Sequence, residues 1–170
     1  MTRTILVIAS LLSLLALTGC SSLSVDSDWD NTVDFNSMKT FSILERPSGL
    51  EGDQLVWRRI QDAIRQSLEA RAYTESTVSP DFLVAVHLDV ADKVSVQTYN
   101  YGYGSYYNWH SRDVSVSQYQ EGTLVIDFVD GSDRELFWRG WGTKVLDGRS
   151  RDEAKIQQVV DKIISQYPPK

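Results

Sequence analysis

Cysteine is nearly absent from this chain, since Cys20 is the only one. A single thiol excludes a disulfide framework within the chain and a metal site built from several thiolates, so folding has to rest on a hydrophobic core. The chain also has only two histidines, and it lacks the motifs HExxH, GxxxxGK and GxSxG. Those motifs mark zinc hydrolases, phosphate-binding loops and serine hydrolases. The sequence therefore predicts a protein that is not an enzyme and that has no cofactor and no metal site.

Clusters of basic residues are missing as well. The chain has 17 Lys and Arg residues against 23 Asp and Glu residues, which gives a net charge of -6. Proteins that bind nucleic acids carry a basic patch or stripe, so we expect no nucleic-acid partner. The acidic balance also gives no electrostatic attraction to anionic lipid headgroups. Any attachment to a membrane would thus have to come from a hydrophobic anchor.

No hydrophobic run in the sequence is long enough to cross a bilayer, which takes roughly 20 apolar residues. The run at residues 5–17 is shorter and follows Arg3, an arrangement typical of a secretory signal peptide. It ends in Leu17-Thr18-Gly19-Cys20, which resembles the lipobox of bacterial lipoproteins, whose peptidase cleaves before the cysteine. We therefore predict a signal peptide over residues 1–19. The alternative is an uncleaved segment with a chance cysteine.

The lipobox resemblance implies that Cys20 carries a diacylglycerol and usually a third acyl chain on its amino group. One acyl chain gives only marginal membrane binding, whereas two or more chains anchor a protein stably. In many Gram-negative bacteria an aspartate after the cysteine retains a lipoprotein in the inner membrane, and this chain has Ser21 there. The resemblance thus implies an outer-membrane lipoprotein of a Gram-negative bacterium that faces the periplasm.

The sequence after the signal peptide divides into two parts. Residues 20–28 are short and polar, which is typical of a tether. Residues 29–170 are enough for one domain with its own core.

Hydrophobic periodicity predicts two helices and four strands in that domain. The predicted helices cover residues 53–72, with Asp53 as the N-cap, and 150–164, where Ser150 and Glu153 would form a capping box. The predicted strands cover residues 40–44, 82–96, 114–129, with a bulge at Gly122, and 135–146. The order β-α-β-β-β-α predicts an α+β fold, in which a mainly antiparallel four-stranded sheet carries both helices on one face.

Short motifs run through nearly the whole domain: Asp30, Asp34-Phe35, Lys39-Thr40-Phe41, Pro80-Asp81-Phe82-Leu83-Val84, Glu121-Gly122-Thr123-Leu124, Trp138-Arg139-Gly140 and Tyr167-Pro168-Pro169. In their order and spacing they resemble the bacterial lipoprotein family called domain of unknown function 4136. The resemblance implies an envelope lipoprotein with no established activity. The chain departs from the family at Ala72, where the family tends to have a glycine that would end the first helix in the left-handed conformation.

Residues 99–110 form a segment rich in tyrosine and glycine, YNYGYGSYYNWH. Tyrosine and tryptophan offer large amphipathic surfaces at low entropic cost, so such a segment is suited to binding a protein, a sugar or a membrane interface. The candidate binding residues in it are Tyr101, Tyr103, Tyr106, Tyr107 and Trp109. The alternative is a linker of biased composition without a specific ligand.

A second aromatic cluster, LFWRGW, covers residues 136–141 on the last predicted strand. Strict alternation places Phe137, Arg139 and Trp141 on one face of the sheet and the other large side chains of the cluster on the opposite face. If Phe137, Arg139 and Trp141 point away from the helices, these exposed aromatic and arginine side chains have the composition found at the centre of protein–protein interfaces. The alternative is that the chain around Trp29 and Phe35 folds back and covers that face.

Histidines and carboxylates provide the remaining candidates. His87 and His110 are distant in sequence, and together with carboxylates they could bind a metal, but most lone histidines are simply solvated, so we expect no metal site. Some acidic residues will lie close together in the fold. The candidate groups for acid–base work or calcium binding are the pair Asp28 and Asp30 and the set of three Asp81, Asp89 and Asp92. Acidic surface residues usually only keep a domain soluble, so we expect no catalytic set.

The interpretation that combines these observations is a non-catalytic, lipid-anchored periplasmic domain that binds another envelope component or supports its assembly. Its expected partners are the membrane, through acyl chains on Cys20, and an envelope protein or glycan. The alternative is a glycan-binding or glycan-processing envelope protein that uses carboxylates and residues 99–110.

Overall fold

The structure, a computed structural model, describes residues 23–45, 53–98 and 114–168. In these ranges the chain forms one six-stranded mixed sheet and two helices. The strands are β1 Ser24–Trp29, β2 Thr40–Ile43, β3 Thr74–Glu75, β4 Phe82–Thr98, β5 Val114–Asp130 and β6 Leu136–Val145, and the helices are α1 Gln54–Glu69 and α2 Glu153–Ile164. Across the sheet the strands follow the order β1-β6-β5-β4-β2-β3.

The α+β class is confirmed, but the prediction of a four-stranded, mainly antiparallel sheet is wrong. The sheet has two further strands at its edges, β1 next to β6 and the two-residue β3 next to β2. In addition, β2 runs parallel to both β3 and β4. The parallel pairing arises because α1 lies between β2 and these strands, and a crossover through a helix returns the chain in the same direction.

The strand β1 lies mostly inside residues 20–28, the segment that composition predicts as a tether. It pairs antiparallel with β6 from Ser24 opposite Thr143 to Trp29 opposite Trp138. Its mostly polar sequence, SVDSDW, has no run of alternating apolar residues that would predict a strand, because an edge strand is held mainly by backbone hydrogen bonds. The folded part of the chain therefore begins closer to Cys20 than the predicted domain start.

The hydrophobic core lies between both helices and one face of the sheet. Its main contributors are Ile60, Ile64 and Leu68 of α1, Phe82, Val84, Val86, Leu124, Ile126 and Phe128 of the central strands, and Ile156, Val160, Ile163 and Ile164 of α2. The helical spacing and the even-numbered strand pattern seen in the sequence both match these positions. Neither of the two described helices is long and apolar enough to cross a membrane.

The central strands β4 and β5 extend beyond the rest of the sheet. They pair with each other along their whole length, whereas β6 reaches only as far as Glu121 of β5. The even-numbered residues of β4 are buried as far as Val86, but Leu88, Val90 and Val94 are 46%, 51% and 59% exposed. The buried face predicted for the whole strand therefore ends where the helix cover ends.

A bulge interrupts the regular alternation in β6, and not at Gly122 of β5, where the sequence predicts it. Gly122 pairs regularly with both neighbouring strands. The register shifts opposite Phe128 and Val129, which makes Phe137 the extra residue of β6. Two consecutive residues, Phe137 and Trp138, are therefore buried in the same core, because a bulge reorients the side chains next to it.

Aromatic rings fill the core at the end of the sheet where this bulge lies. Tyr167, which follows α2, is fully buried. The centre of its ring lies 4.7 Å from that of Phe128 and 5.3 Å from that of Trp138. Phe35, from the loop after β1, lies 5.8 Å from Tyr167 and 6.1 Å from Phe137. The aromatic core thus joins the segment before β2, the last two strands and the end of the chain.

Two of the motifs that carry the family resemblance meet at the start of β2. The Asp81 carboxylate accepts hydrogen bonds from the backbone amides of Lys39 at 2.9 Å and Thr40 at 2.8 Å, and from the Thr40 hydroxyl at 2.8 Å. The hydrogen bonds from the two backbone amides contribute most to a pKa of Asp81 that is below its usual value. Beside them the rings of Phe41 and Phe82 stack with centres 6.1 Å apart. These motif residues therefore secure the pairing of β2 with β4.

The two helices differ in how they begin. Asp53 caps α1 as predicted, because its carboxylate accepts a hydrogen bond from the Leu55 amide at 2.9 Å. The N-cap of α2 is Asp152, so the predicted capping box at Ser150 is wrong. The Ser150 hydroxyl instead donates to the Asp147 carboxylate at 2.9 Å in the preceding turn.

The end of α1 explains the departure from the family at position 72. The helix ends at Glu69, and the chain then turns so that the Tyr73 amide donates to the Leu68 carbonyl at 3.2 Å. In this turn Ala72 has a φ of 67°, in the left-handed region. The backbone conformation that glycine adopts without strain is therefore present, and an alanine occupies it.

Replacing this alanine with glycine (Ala72→Gly) is expected to stabilise the protein by about 1 kcal/mol, because the left-handed conformation costs a residue with a Cβ about that much. Denaturant unfolding of the full chain measures the change. The matched control is Ala70→Gly, since Ala70 has an ordinary helical conformation with φ -61°. We expect this control to lose about 0.5–1 kcal/mol. Equal effects of the two substitutions would contradict the explanation.

Candidate binding surfaces

Most of the site residues predicted from the sequence lie outside the described residues. This holds for the lipidation site Cys20, for Tyr101, Tyr103, Tyr106, Tyr107 and Trp109 of the Tyr/Gly-rich segment, and for His110. The structure therefore places only the second aromatic cluster, which is in β6.

The sheet face opposite the helices, called the helix-free face below, is the first candidate surface. Arg139 and Trp141 both lie on it, with Arg139 opposite Asp127 and Trp141 opposite Val125 of β5. Phe137 does not share this face, because the bulge turns it into the core, where it is only 4% exposed. Strict alternation is therefore wrong for Phe137 and holds for the other two residues.

A charged cluster forms the centre of the helix-free face. The Arg139 guanidinium donates through Nε and Nη2 to the two carboxylate oxygens of Asp127, each at 2.6 Å. These hydrogen bonds raise the pKa of Arg139. Nε2 of the exposed His87 lies 3.4 Å from the same carboxylate. Asp127 is only 4% exposed although neither of the two described helices covers this face, because these neighbours cover it.

The strand β1 extends the helix-free face and does not cover it. It adds Asp26 and Asp28 to this face, with Asp26 opposite Trp141. Phe35 packs into the aromatic core on the helix side. The alternative in which the chain around Trp29 and Phe35 folds back over the helix-free face is therefore wrong, because β1 joins the sheet edge to edge and Phe35 packs against Phe137 on the helix side.

Several of the carboxylates considered for catalysis accept hydrogen bonds from other residues of the chain. Asp30 accepts from the Thr32 amide, which lowers its pKa, and the pKa of Asp81 is lowered by its own hydrogen bonds. A general acid at neutral pH needs the opposite shift. Asp92 accepts from the Gln120 amide group at 3.1 Å. Within residues 23–45, 53–98 and 114–168, no group of three or more His, Cys, Asp or Glu is placed to bind a metal.

The second candidate surface is an apolar cleft between the helices and the projecting part of β4 and β5, with a volume of about 820 Å³. Its apolar lining consists of Val56, Trp57 and Ile60 of α1, Ile156 and Val159 of α2, Val86, Leu88 and Val90 of β4, Leu124 of β5, and Leu146. At its rim the exposed residues Asp53 and Arg151 approach each other to 3.9 Å. The cleft is open to solvent on the side where Leu88 and Val90 are exposed.

Sequence reasoning missed this cleft, although a signal for it exists. The apolar run of β4 belongs to a strand of 17 residues, which spans about 56 Å, whereas the 16 residues of α1 span about 24 Å. A helix of that length cannot cover the whole run, so apolar positions had to remain exposed at one end. The contact between His87 and Asp127 has no such signal, because it depends on the register between two strands.

These features define a class of protein: a small α+β domain with one helix-covered and one helix-free sheet face. The chain belongs to the family described as Domain of unknown function (DUF4136), whose model matches residues 25–169. The match confirms the resemblance seen in the motifs and includes β1 as part of the domain. No curated protein matches the chain.

Two solved structures share the fold. One is a PDZ domain protein from Parabacteroides distasonis ATCC 8503, with a TM-score of 0.61 and 15% sequence identity. This chain covers 40% of that protein, and 96% of this chain is matched. The other is the dodecamer of a PelC point variant from Paraburkholderia phytofirmans, with a TM-score of 0.50, 12% identity, and coverage of 84% of this chain and 95% of that chain. At these identities the likeness shows the fold alone.

Proposed function

We propose that this protein is a lipid-anchored domain of the Gram-negative cell envelope, held at the outer membrane by acyl chains on Cys20 and facing the periplasm. It acts without catalysis, by binding another envelope protein or supporting its assembly. The helix-free face carries this proposal, because Trp141 lies there beside the ion-paired Arg139 and Asp127. Tryptophan and arginine are enriched at the energetic centres of protein interfaces.

The charge of the helix-free face indicates the chemistry of the partner. The charged residues that strand register places on this face are Asp26, Asp28, Asp89, Glu121 and Asp127, against Arg139 and Lys93. The surface is therefore acidic around an apolar tryptophan. We expect a partner with a basic surface around an apolar centre, and an interaction that weakens as salt screens charges beyond about 10 Å at 0.1 M.

The test is a pull-down from detergent-solubilised envelopes with the full-length lipidated protein. We expect one protein partner to be retained at low salt, and its recovery to fall at least about tenfold in the variant Trp141→Ala, since interface tryptophans often contribute about 2 kcal/mol or more. The matched control is Trp29→Ala. Trp29 is 43% exposed in β1 but faces the helix side, opposite Trp138. We expect this control to retain the partner.

The same pull-down distinguishes docking through the helix-free face from docking through residues 99–110. A variant that combines Tyr101→Ser, Tyr103→Ser, Tyr106→Ser and Trp109→Ser tests residues 99–110 while leaving the sheet unchanged. Loss of the partner only in this variant would transfer the binding site from the helix-free face to that segment. Retention of the partner by all variants, or recovery of no partner by the wild type, would reject protein docking through either element.

Glycan binding is the second candidate function, and one arrangement favours it. An aromatic ring with carboxylates beside it is suited to a sugar, and on this face Trp141 has Asp26 opposite it in β1. Co-sedimentation of the lipidated protein with purified peptidoglycan, in wild-type and Trp141→Ala form, tests this candidate. A glycan-processing enzyme would in addition release soluble sugar fragments in that experiment.

A further inference from the structure

The apolar cleft lies next to the point where the chain leaves toward Cys20. Val25 of β1 pairs with Gly142, and Gly142 lines the cleft. A Cβ built on Gly142 would lie 3.4 Å from Cδ1 of Leu23, the first described residue. Leu23 is therefore at the edge of the cleft, on the helix side of the sheet.

The distance from this edge to the lipidation site is short. Cys20 precedes Leu23 by three residues. An extended chain spans at most about 3.6 Å per residue, so the three residues from Cys20 to Leu23 span no more than about 11 Å. An acyl chain on Cys20 is a long flexible hydrocarbon, and the cleft is within its reach.

We propose that one acyl chain of the anchor on Cys20 occupies the apolar cleft. This inference rests on the proposed lipidation of Cys20. The cleft volume of about 820 Å³ is in the range of sites that take small ligands, roughly 300–1,000 Å³. Ten apolar side chains give its walls aliphatic and aromatic surface, and the lining also includes the charged residues Asp53, Lys144, Asp147, Arg151 and Lys155.

The protein's own anchor has an advantage over other apolar occupants. A group attached to the same chain by three residues has an effective concentration that a free ligand or a second copy does not reach. The exposed Leu88 and Val90 extend the apolar wall toward solvent and offer surface for the part of the chain that leaves the cleft.

This arrangement has a consequence for membrane attachment. A chain held in the cleft is withdrawn from the bilayer, and each withdrawn chain weakens the anchor, since one inserted chain alone binds only marginally. The strength of membrane attachment would therefore depend on what occupies the cleft. An acyl chain in the cleft weakens attachment, and a competing apolar group that displaces this chain returns it to the bilayer.

Photocrosslinking of the intact lipidated protein tests the proposal. Cells that produce the full-length chain are fed a fatty acid that carries a photoreactive diazirine and an alkyne handle. After irradiation, the protein is purified and digested, and the peptides crosslinked to the lipid are identified by mass spectrometry. We expect crosslinks on the first turns of α1 and on β4 near Leu88 and Val90, within the same polypeptide.

A pair of matched variants gives the control. Val90→Asp replaces an apolar side chain at the open side of the cleft with a carboxylate, and we expect crosslinking there to fall about tenfold, since the hydrocarbon loses apolar contact and would displace water from the charged group. Val145→Asp makes the same change on the helix-free face, where Val145 lies opposite Glu121. The two valines are 51% and 41% exposed, so both variants should fold. Val145→Asp is expected to crosslink like the wild type.

Three results would overturn the proposal. The first is a wild-type protein whose lipid crosslinks only to other membrane components, with no peptide of the cleft labelled. The second is undiminished labelling of the cleft in a Cys20→Ala variant, which would assign the cleft to a membrane lipid. The third is labelling between isotopically light and heavy copies, which would assign it to a second molecule. The intact mass of the mature protein is measured separately, so absence of lipid on Cys20 is recognised as failure of the proposed anchoring itself.

Discussion

Replacing Tyr167 with alanine (Tyr167→Ala) is expected to lower the free energy of unfolding by about 3–5 kcal/mol, the range for removing a large aromatic side chain from a core. The ring is fully buried and contacts aromatic residues from five parts of the chain, represented by Phe35, Tyr73, Phe82, Phe128 and Trp138. Its removal would leave a cavity where these segments meet. Denaturant unfolding followed by tryptophan fluorescence measures the loss.

Two substitutions serve as controls for this prediction. Tyr119→Ala removes the same side chain from a half-buried position in the projecting part of β5, and we expect a loss below about 1 kcal/mol. Tyr167→Phe keeps the ring and should change stability by no more than about 1 kcal/mol at neutral pH. If Tyr167→Ala were no more destabilising than Tyr119→Ala, the aromatic core would not be what holds these segments together.

The phenylalanine variant also has a distinct pH dependence. Burial raises the pKa of the Tyr167 hydroxyl above its usual value of 10.0. Above that pH the unfolded chain releases this proton while the folded chain retains it, so the stabilisation is complete below about pH 10 and is lost as the pH rises. Tyr167→Phe should therefore lose less stability than the wild type in alkaline solution.

Replacing Gly140 with alanine (Gly140→Ala) is expected to destabilise the protein by about 2–3 kcal/mol through overpacking. A Cβ at this position would overlap Cη2 of Trp138 and would lie 2.8 Å from Cγ2 of Ile163. Both neighbours are fully buried, so neither can move aside without disturbing the core between β6 and α2. Thermal unfolding of the full chain measures the effect.

Other glycines of the same chain provide the controls. A Cβ on Gly148 would have no heavy atom within 4 Å, so Gly148→Ala should stay within about 0.5 kcal/mol of the wild type. A Cβ on Gly122 would lie 2.8 Å from the end of the Leu146 side chain, which can rotate away, so Gly122→Ala should fall between the two. A different order of the three effects would contradict the packing explanation.

The elements that could be predicted are those whose burial leaves a periodic pattern. The amphipathic spacing of α1 and the even-numbered apolar residues of β4 and β5 predict these elements and the face each buries, and the core confirms both. The edge strands β1 and β3 left no such pattern. Edge strands are held mainly by backbone hydrogen bonds, which every residue except proline can donate. Their amino-acid sequences are therefore only weakly constrained.

The candidate surfaces also combine features that the sequence predicts with features that depend on how the strands and helices pack. Alternation along β6 predicts that Arg139 and Trp141 share a face, but the bulge at Phe137 depends on how β6 fits against β5. The neighbours of Asp127 come from β4 and β6, and their contact is set by strand register. The cleft forms because two helices of limited length pack on longer strands.

Local patterns in the sequence were enough to predict the α+β class, the two helices, the long central strands and the family, and they include the lipobox-like motif that motivates the proposed anchor. These features follow from local patterns, since hydrophobic periodicity and short motifs are properties of neighbouring residues. Three features became visible only in the folded chain: the six-stranded mixed sheet, the placement of Trp141 beside Arg139 and Asp127, and the cleft next to Leu23. Each of these depends on register and packing between segments that are distant in the chain, and such contacts leave no periodic trace in a single sequence.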